Sequence, residues 1–225
     1  MSTRPERDQG RAGTDPALPW LAILLTAVAV GVWLLPDSGA GLAYQRGPIA
    51  DGELWRLVTG HFVHWSPGHL VWDVGTFLVL GVACELRSRK RFSVCLVGSV
   101  VAIPCTVWLL LPELELYAGL SGVDSALFAL LGADLVHEQW KKRNPAVLAI
   151  ALGLSLALAF KVGFEITTGG TIFVADLASG IVPVPRAHLA GALVGLLASA
   201  SIGGSRSGPS RLSTASSYAV QRGGA

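Results

Sequence analysis

Long stretches without any charged residue constrain this chain more than any other feature of its sequence. Residues 17–35 contain no charge over 19 residues, and residues 92–111 contain none over 20. At about 1.5 Å of rise per residue, helices of this length cross a hydrocarbon core roughly 30 Å thick. Only 14% of the residues are charged, against about 25% in soluble domains. The sequence therefore predicts an all-α, polytopic membrane protein.

Six predominantly apolar runs follow one another, and we expect each to form a transmembrane helix. They cover residues 17–35, 68–85, 92–111, 119–136, 145–164 and 188–202. The first run is long, and no small-residue cleavage site follows it closely, so we interpret it as a permanent span rather than a signal peptide. We predict a six-span membrane domain over residues 16–203, a flexible cytoplasmic tail over 1–15 and a disordered cytoplasmic tail over 204–225.

Charged residues between the runs indicate the orientation. The connection between the third and fourth runs carries Glu113 and Glu115 but no Lys or Arg. Basic residues gather in the connections on the other side, namely Arg87, Arg89, Lys90, Arg91, Lys141, Lys142, Arg143, Arg206, Arg211 and Arg222. By the positive-inside rule, both termini are predicted to be cytoplasmic. Arg46 and Arg56, in the outer connection after the first run, do not follow this rule.

Four polar side chains lie near the predicted outer ends of three different runs. His69 and Asp73 belong to the second run, Ser121 to the start of the fourth, and His188 to the start of the sixth. Polar groups within a membrane are costly and often functional. Because the four share a similar depth, we expect one site assembled between helices. There His188 could act as a general base toward Ser121.

Ser121 and its neighbours also have a purely structural interpretation. In Gly119-Leu120-Ser121-Gly122 the serine opens an apolar run, where Ser is a common helix N-cap. Under the functional interpretation, Gly119 and Gly122 let a substrate backbone approach the hydroxyl. The amides at the helix start would then help to bind an oxyanion. The motif alone does not decide between the two.

His188 is equally open on the residues alone. It could be an interfacial histidine bonded to a carbonyl group, or the base that takes the serine proton. It lies one turn before Gly191, and Gly191 with Gly195 forms a Gly-x-x-x-Gly face that predicts a close helix contact. We therefore expect the imidazole near a helix–helix interface.

The histidines around the second run raise the question of a metal. His61, His64, His69 and Asp73 are all suitable ligands for zinc or iron. However, Pro67 is predicted to start the helix after the first two, and the His-Glu-x-x-His zinc motif is absent. We therefore expect no metal and no other cofactor.

In this order, the residues resemble the rhomboid family of intramembrane serine proteases from about position 55 to 195. The resemblance rests on the Trp55-Arg56 pair, His64, His69, Asp73, the Gly119-Leu120-Ser121-Gly122 motif, and Ala187-His188 followed by Gly191 and Gly195. It implies a six-helix bundle and a Ser121–His188 dyad without a third acidic member. It also implies that His69 and the residue at position 73 help the Ser121 amide form an oxyanion hole.

Two residues depart from the pattern of that family. Asp73 replaces an Asn that usually donates a hydrogen bond, which an ionised Asp cannot do. Ser125 stands where an aromatic or histidine side chain often packs against the catalytic ring, so the support of His188 is an open question. Asp124, one turn after Ser121, could face the serine or bond within the bundle. Lys161 is expected to pair or to reach the interface.

The function implied by the resemblance is cleavage of membrane-anchored protein substrates near the extracytoplasmic face of the bilayer, by a multi-pass protein of the bacterial inner membrane. The stretch from His69 to Asp73 and the small size resemble the rhombosortase branch, which is thought to process C-terminal Gly-Gly sorting signals. The alternative is a catalytically inactive rhomboid-like protein that binds membrane clients. The net charge of +2 indicates no nucleic-acid partner, and the sequence does not predict the oligomeric state.

Overall fold

The computed structural model describes residues 18–170 and 184–201, which are mainly helical. Its elements in chain order are α1 (Trp20–Trp33), β1 (Tyr44–Gln45), α2 (Arg46–Ala50), α3 (Arg56–Thr59), α4 (Pro67–Arg87), α5 (Arg89–Leu110), β2 (Leu116–Tyr117), α6 (Ser121–Lys142), α7 (Pro145–Thr168) and α8 (Pro185–Ser201). Short 3₁₀ segments occupy Pro36–Leu42 and Gly60–Phe62. The tails predicted for residues 1–15 and 204–225 lie outside the described residues.

The six longest helices coincide with the six apolar runs of the sequence. Of these, α4, α5 and α7 are long and apolar enough to cross a membrane. A fourth candidate is α1 taken together with the 3₁₀ segment Pro36–Leu42, with a bend of 111° between them. The described residues therefore provide three candidate spans, or four if the bent pair counts as one. The count of six and the cytoplasmic termini stay predictions.

Helix α6 lies at the centre of the bundle and packs against α4, α5, α7 and α8. Residues 123–127, more than one full turn, are all buried, so every side of this part of the helix faces protein. A helix surrounded by other helices does not need a uniformly apolar surface. This explains how α6 can carry Asp124 and Asp134 and still occupy the core.

The closest helix contact is between α6 and α8, and two glycines make it possible. A Cβ atom on Gly191 would lie 1.9 Å from the carbonyl oxygen of Gly122, and one on Gly195 would lie 2.0 Å from that of Ala126. Both distances are far below van der Waals contact, so only glycine allows the two backbones to approach this closely. The first turn of α8, which carries His188, is thereby held against the first turn of α6.

A small antiparallel pair of strands, which the all-α prediction does not include, joins the connection after α1 to the connection after α5. Strand β1 pairs with β2, with Tyr44 opposite Tyr117. The amide of Arg46 extends the pairing by donating to the carbonyl of Glu115 at 3.0 Å. These bonds tie the segment after α1 to the segment that leads into α6.

The two arginines that did not follow the positive-inside rule are bonded within these connections. The Arg46 guanidinium donates to carbonyl oxygens at the end of α5, those of Val107, Trp108 and Leu111. Arg56 donates to Glu53 and to the carbonyl of Ala43. A cation that bonds the last carbonyl groups of a helix, or that pairs with an acidic residue, stabilises the fold. Its position therefore says little about how the chain is oriented in a membrane.

At the opposite end of the bundle, acidic residues of α6 hold the basic connection in place. Asp134 is buried and accepts from Arg91 at 2.7 Å and from the Ser199 hydroxyl at 2.7 Å. Glu138 pairs with Arg87 and with Lys142. Asp134 and Glu138 are therefore each matched by at least one basic side chain.

Candidate active site

Ser121 and His188 lie side by side at the starts of α6 and α8. The Ser121 Oγ is 2.9 Å from the Nε2 atom of His188, although 67 positions separate the two residues. Leu120, and not Ser121, is the N-cap residue of α6, and its side chain makes no capping bond. The serine hydroxyl therefore faces an imidazole and does not serve as the helix cap that the sequence also allowed.

The other nitrogen of the same imidazole contacts an acidic residue of α7. His188 Nδ1 is 2.5 Å from Glu165 Oε2, and the Glu165 side chain is only 2% exposed. A carboxylate can only accept, so the proton of a neutral imidazole lies on Nδ1. The Nε2 lone pair then points at Ser121, which is the orientation a general base requires.

Lys161 completes this cluster from one turn earlier on α7. Its Nζ atom is 2.7 Å from Glu165 Oε1 and 3.4 Å from His188 Nδ1. Residues four apart on a helix share a face, so both side chains reach the imidazole from the same side. A buried carboxylate without a partner would be costly, and the ammonium group supplies the balancing charge.

On the other side of Ser121, three nitrogen atoms lie close to the Asp73 carboxylate. Its Oδ2 accepts from the Ser121 amide at 3.1 Å and lies 3.1 Å from His69 Nε2 and 3.6 Å from His64 Nε2. The His69 Nδ1 atom accepts from the Trp65 amide at 3.4 Å, so Nε2 carries the proton toward Asp73. Asp73 is thus a hydrogen-bond acceptor for both His69 and Ser121.

Gly119 allows the chain to pass close to these side chains. Its φ is +110°, a conformation that L side chains rarely adopt. A Cβ atom there would lie 2.6 Å from His69 Nε2 and 2.9 Å from Asp73 Oδ2. Gly119 also donates its amide to the carbonyl of Gly60 at 3.1 Å. Any other residue would push Ser121 away from α4.

The residues considered as metal ligands divide into two groups. The candidate ligand atoms of His64, His69 and Asp73 all lie within 4.8 Å of one another, so this buried trio could hold a metal ion. His61 is not among them, and its ring lies edge-on to Tyr117 with centroids 6.0 Å apart. Because Asp73 Oδ2 already accepts from the Ser121 amide, a metal ion there would compete with that contact.

Comparison with known proteins identifies the family of this chain. The model of the rhomboid domain matches residues 51–205, which is more than half of the chain. The chain belongs to the rhomboid family. It is also 27% identical over 146 residues to a protein of Bacillus subtilis (strain 168) named "Putative rhomboid protease YdcA", covering 62% of this chain and 71% of that protein. Membership and the apolar helices together indicate an integral membrane protein of a family of intramembrane proteases.

One contact of His188 was not implied by the resemblance to the rhomboid family. The resemblance implied Ser121 and His188 without an acidic third member, yet Glu165 is in contact with the imidazole. The sequence did not predict Glu165 as a site residue, because the fifth apolar run ends at position 164. The helix α7 continues beyond it to Thr168. The available signal was the spacing of Lys161 and Glu165, which puts two opposite charges on one face near the end of an apolar run.

Ser125 and Gly122, near the start of α6, make contacts within the bundle. Ser125 donates its hydroxyl to the carbonyl of Ser121 at 2.9 Å and is not bonded to the imidazole, which Glu165 contacts. A Cβ atom on Gly122 would lie 2.9 Å from Ile103 Cδ1. Gly122 is therefore a packing residue against α5, while Gly119 is the glycine that faces the polar cluster.

Asp124 does not contact the serine hydroxyl within the described residues. It is buried, and its Oδ1 atom has no hydrogen-bond partner in the part of the chain that the structure describes. Its backbone amide makes an ordinary helical bond to the carbonyl of Leu120. Asp124 thus belongs to the interior of the bundle near the site and is not bonded to the serine or the imidazole.

Proposed function

We propose that this rhomboid is an active intramembrane serine endopeptidase that cleaves membrane-anchored proteins near the extracytoplasmic face, with Ser121 and His188 as its catalytic residues. The observation that carries the proposal is the 2.9 Å contact between Ser121 Oγ and His188 Nε2. Two polar side chains from separate apolar helices meet there with the geometry of a nucleophile and its base. A protein that only bound membrane clients would not need this contact.

The reaction follows from the positions of these atoms. His188 Nε2 takes the proton of the Ser121 hydroxyl while Oγ attacks the carbonyl carbon of the scissile peptide bond. The protonated imidazole then gives this proton to the leaving amine, which releases the first product and leaves an acyl-enzyme. Water, deprotonated by the same nitrogen, hydrolyses the ester and restores the serine. No cofactor takes part in these steps.

The oxyanion would form beside Ser121, where His69 and Asp73 lie. His69 directs an N–H toward this region, and the Ser121 amide points into it. Both donors are bonded to the Asp73 carboxylate, so Asp73 must be protonated or displaced when the oxyanion forms. Gly119 leaves the space that the two donors need.

The proposed setting is a six-span bundle in a bacterial inner membrane with both termini in the cytoplasm. Ser121 and His188 begin helices that start on the extracytoplasmic side under this orientation. Among substrate classes we favour proteins with a C-terminal Gly-Gly motif, an apolar helix and a basic cluster, as in rhombosortase-like processing. The stretch His69-Leu70-Val71-Trp72-Asp73 is the feature that supports this branch.

The catalytic assignment is tested by labelling the full chain in membranes with a fluorophosphonate probe and by co-expressing a reporter with a C-terminal Gly-Gly, apolar and basic anchor. We expect labelling and reporter cleavage by the unaltered chain, and neither by Ser121→Ala or His188→Ala. Expression and membrane insertion of both variants should be unchanged. Labelling in the presence of a metal chelator should equal labelling without it.

Two results would speak against the proposal. Cleavage retained by Ser121→Ala would remove the nucleophile from the mechanism. Failure of the probe to label the properly inserted, unaltered chain would favour the inactive client-binding protein. Labelling without cleavage of the Gly-Gly reporter would leave the protease assignment intact and overturn only the rhombosortase-like substrate.

A further inference from the structure

The cluster of Glu165 and Lys161 on α7 goes beyond a serine–histidine dyad. Glu165 Oε2 lies 2.5 Å from His188 Nδ1, and the opposite ring nitrogen lies 2.9 Å from Ser121 Oγ. The three side chains come from α7, α8 and α6 and form one continuous line of hydrogen bonds. Glu165 is almost fully buried, so water does not compete for this contact.

We propose that Glu165 is a positioning residue that converts the Ser121–His188 pair into a Ser–His–Glu triad, with Lys161 as the counter-charge of its carboxylate. The inference rests on the proposed serine protease function and adds a third member to it. Glu165 keeps the Nδ1–H tautomer and stabilises the imidazolium that forms when His188 takes the serine proton. It touches neither substrate nor the reacting atoms.

The role of Lys161 follows from its two distances. It lies 2.7 Å from the Glu165 carboxylate and 3.4 Å from His188 Nδ1. As long as Glu165 is present, its carboxylate contacts both the ammonium group and the ring, and its negative charge favours the imidazolium. Without Glu165, the ammonium group would face the ring alone and repel the imidazolium. The effects of removing the two residues are therefore of opposite sign.

Among the described residues, the other charged groups near the imidazole make no hydrogen bond or ion pair with it. On α6, Asp124 is buried near the site without a bond to His188. On α8 itself, Arg186 donates to the carbonyl of Leu110 at 2.9 Å. Within the described part of α5, the charged residues Arg89, Lys90 and Arg91 lie at the opposite end of the helix. In the part of the chain that the structure describes, Glu165 and Lys161 are thus the ionic groups in direct contact with the ring.

The test measures the rate of fluorophosphonate labelling of the full chain in detergent as a function of pH, with thermal unfolding recorded for each variant. For Glu165→Gln we expect a rate lower by on the order of 10²-fold and a labelling midpoint shifted to lower pH by about one unit or more. Glu165→Asp, which retains the charge, should recover part of the rate. Lys161→Met should shift the midpoint to higher pH.

The double variant Glu165→Gln with Lys161→Met distinguishes positioning from a structural ion pair. We expect it to label several-fold faster than Glu165→Gln alone, since the unpaired cation is removed from the ring. A merely structural pair predicts an equal or larger loss. The matched control is Asp134→Asn, which removes another buried, ion-paired carboxylate at the far end of α6 and should leave the pH midpoint unchanged.

The outcomes separate the two proposals. An unlabelled, folded wild-type chain overturns the serine protease function itself. A labelled wild type, with Glu165→Gln within threefold of its rate and at the same midpoint, overturns the triad and leaves the dyad in place. If Glu165→Gln does not fold, the absence of an upward midpoint shift in Lys161→Met overturns the triad in the same way.

Discussion

The Asp73 carboxylate occupies the two donors of the proposed oxyanion hole. Its Oδ2 atom accepts from the Ser121 amide and lies 3.1 Å from His69 Nε2. An ionised carboxylate in that position repels a developing oxyanion, and it also occupies the donors that the oxyanion needs. An asparagine of the same shape would instead supply a further donor without a charge.

We therefore expect Asp73→Asn to speed up fluorophosphonate labelling by about tenfold, the effect of roughly one hydrogen bond to a charged group. Asp73→Ala, which removes the charge without adding a donor, should give a smaller gain or a loss. The rates are compared at one pH in the same detergent. Slower labelling of Asp73→Asn than of wild type would show that the carboxylate itself is required.

His61 makes the folded state sensitive to acid. Burial lowers the pKa of its imidazole to about 4, against an ordinary value of 6.5, while backbone groups of Val100 and Gly119 partly oppose this shift. Neither ring nitrogen of His61 makes a hydrogen bond within the described residues, so burial is the larger of these effects. Because folding lowers its pKa, the His61 imidazole is neutral in the native state and takes up a proton at higher pH in the unfolded chain.

The unfolded chain thus binds more protons than the folded chain between pH 6.5 and 4, and stability falls as the pH falls through this window. We expect the loss to reach about 3 kcal/mol for His61 alone. His61→Phe retains a ring against Tyr117 and should show a flatter profile in thermal unfolding from pH 7 to 4. Parallel profiles for the variant and wild type would contradict this assignment.

At the scale of elements, the contact between α6 and α8 determines whether Ser121 meets His188. The two helices approach so closely that Cβ atoms on Gly191 and Gly195 would overlap backbone oxygens of α6. Backbone atoms cannot rotate away as side chains do, so a larger residue must separate the helices. A shift of about 1 Å at this contact is enough to disturb a catalytic hydrogen bond.

We expect Gly195→Ala to destabilise the protein by about 1–3 kcal/mol, the usual cost of overpacking, and to slow labelling of Ser121 by at least about tenfold. The matched control is Gly153→Ala on α7, where a Cβ atom meets nothing within 4 Å. That variant should label normally and gain up to about 1 kcal/mol from helix propensity. Normal labelling by both variants would show that the α6–α8 spacing is not critical.

At the scale of the molecule, the distribution of apolar side chains suits a lipid environment. Large apolar residues are exposed along α5 and α7, among them Val97, Leu109, Leu156 and Phe160. The most apolar 18-residue window of α7 is only 11% buried, although it is one of the candidate spans. An apolar surface of this extent would be costly in water and is favourable against acyl chains.

The predicted topology is tested with reporter fusions in bacterial cells. We expect alkaline phosphatase to be active when inserted in the connection 112–115 and inactive when inserted at 141–143. A fluorescent protein at either terminus should fold in the cytoplasm. Phosphatase activity at the C-terminus would exclude six spans with both termini inside, while leaving the contact between Ser121 and His188 unaffected.

Much of the fold and part of the candidate site could be read from the residues themselves. Uncharged runs predict membrane helices because the cost of burying charge in lipid depends on composition and length alone. A serine, two histidines and paired glycines near the ends of such runs pointed to one site. The two-residue strands between the outer connections were not predicted, because pairs so short have no periodicity of their own.

The tertiary structure alone decided what touches the imidazole of His188. Glu165 is 23 positions away in the chain, and only the packing of α7 on α6 and α8 brings its carboxylate to Nδ1. It likewise decided that Asp73 accepts from the Ser121 amide. Composition and local spacing determine which segments enter the membrane. Hydrogen-bond partners depend on distances of about 3 Å between separate helices, which helix packing sets and a linear pattern does not contain.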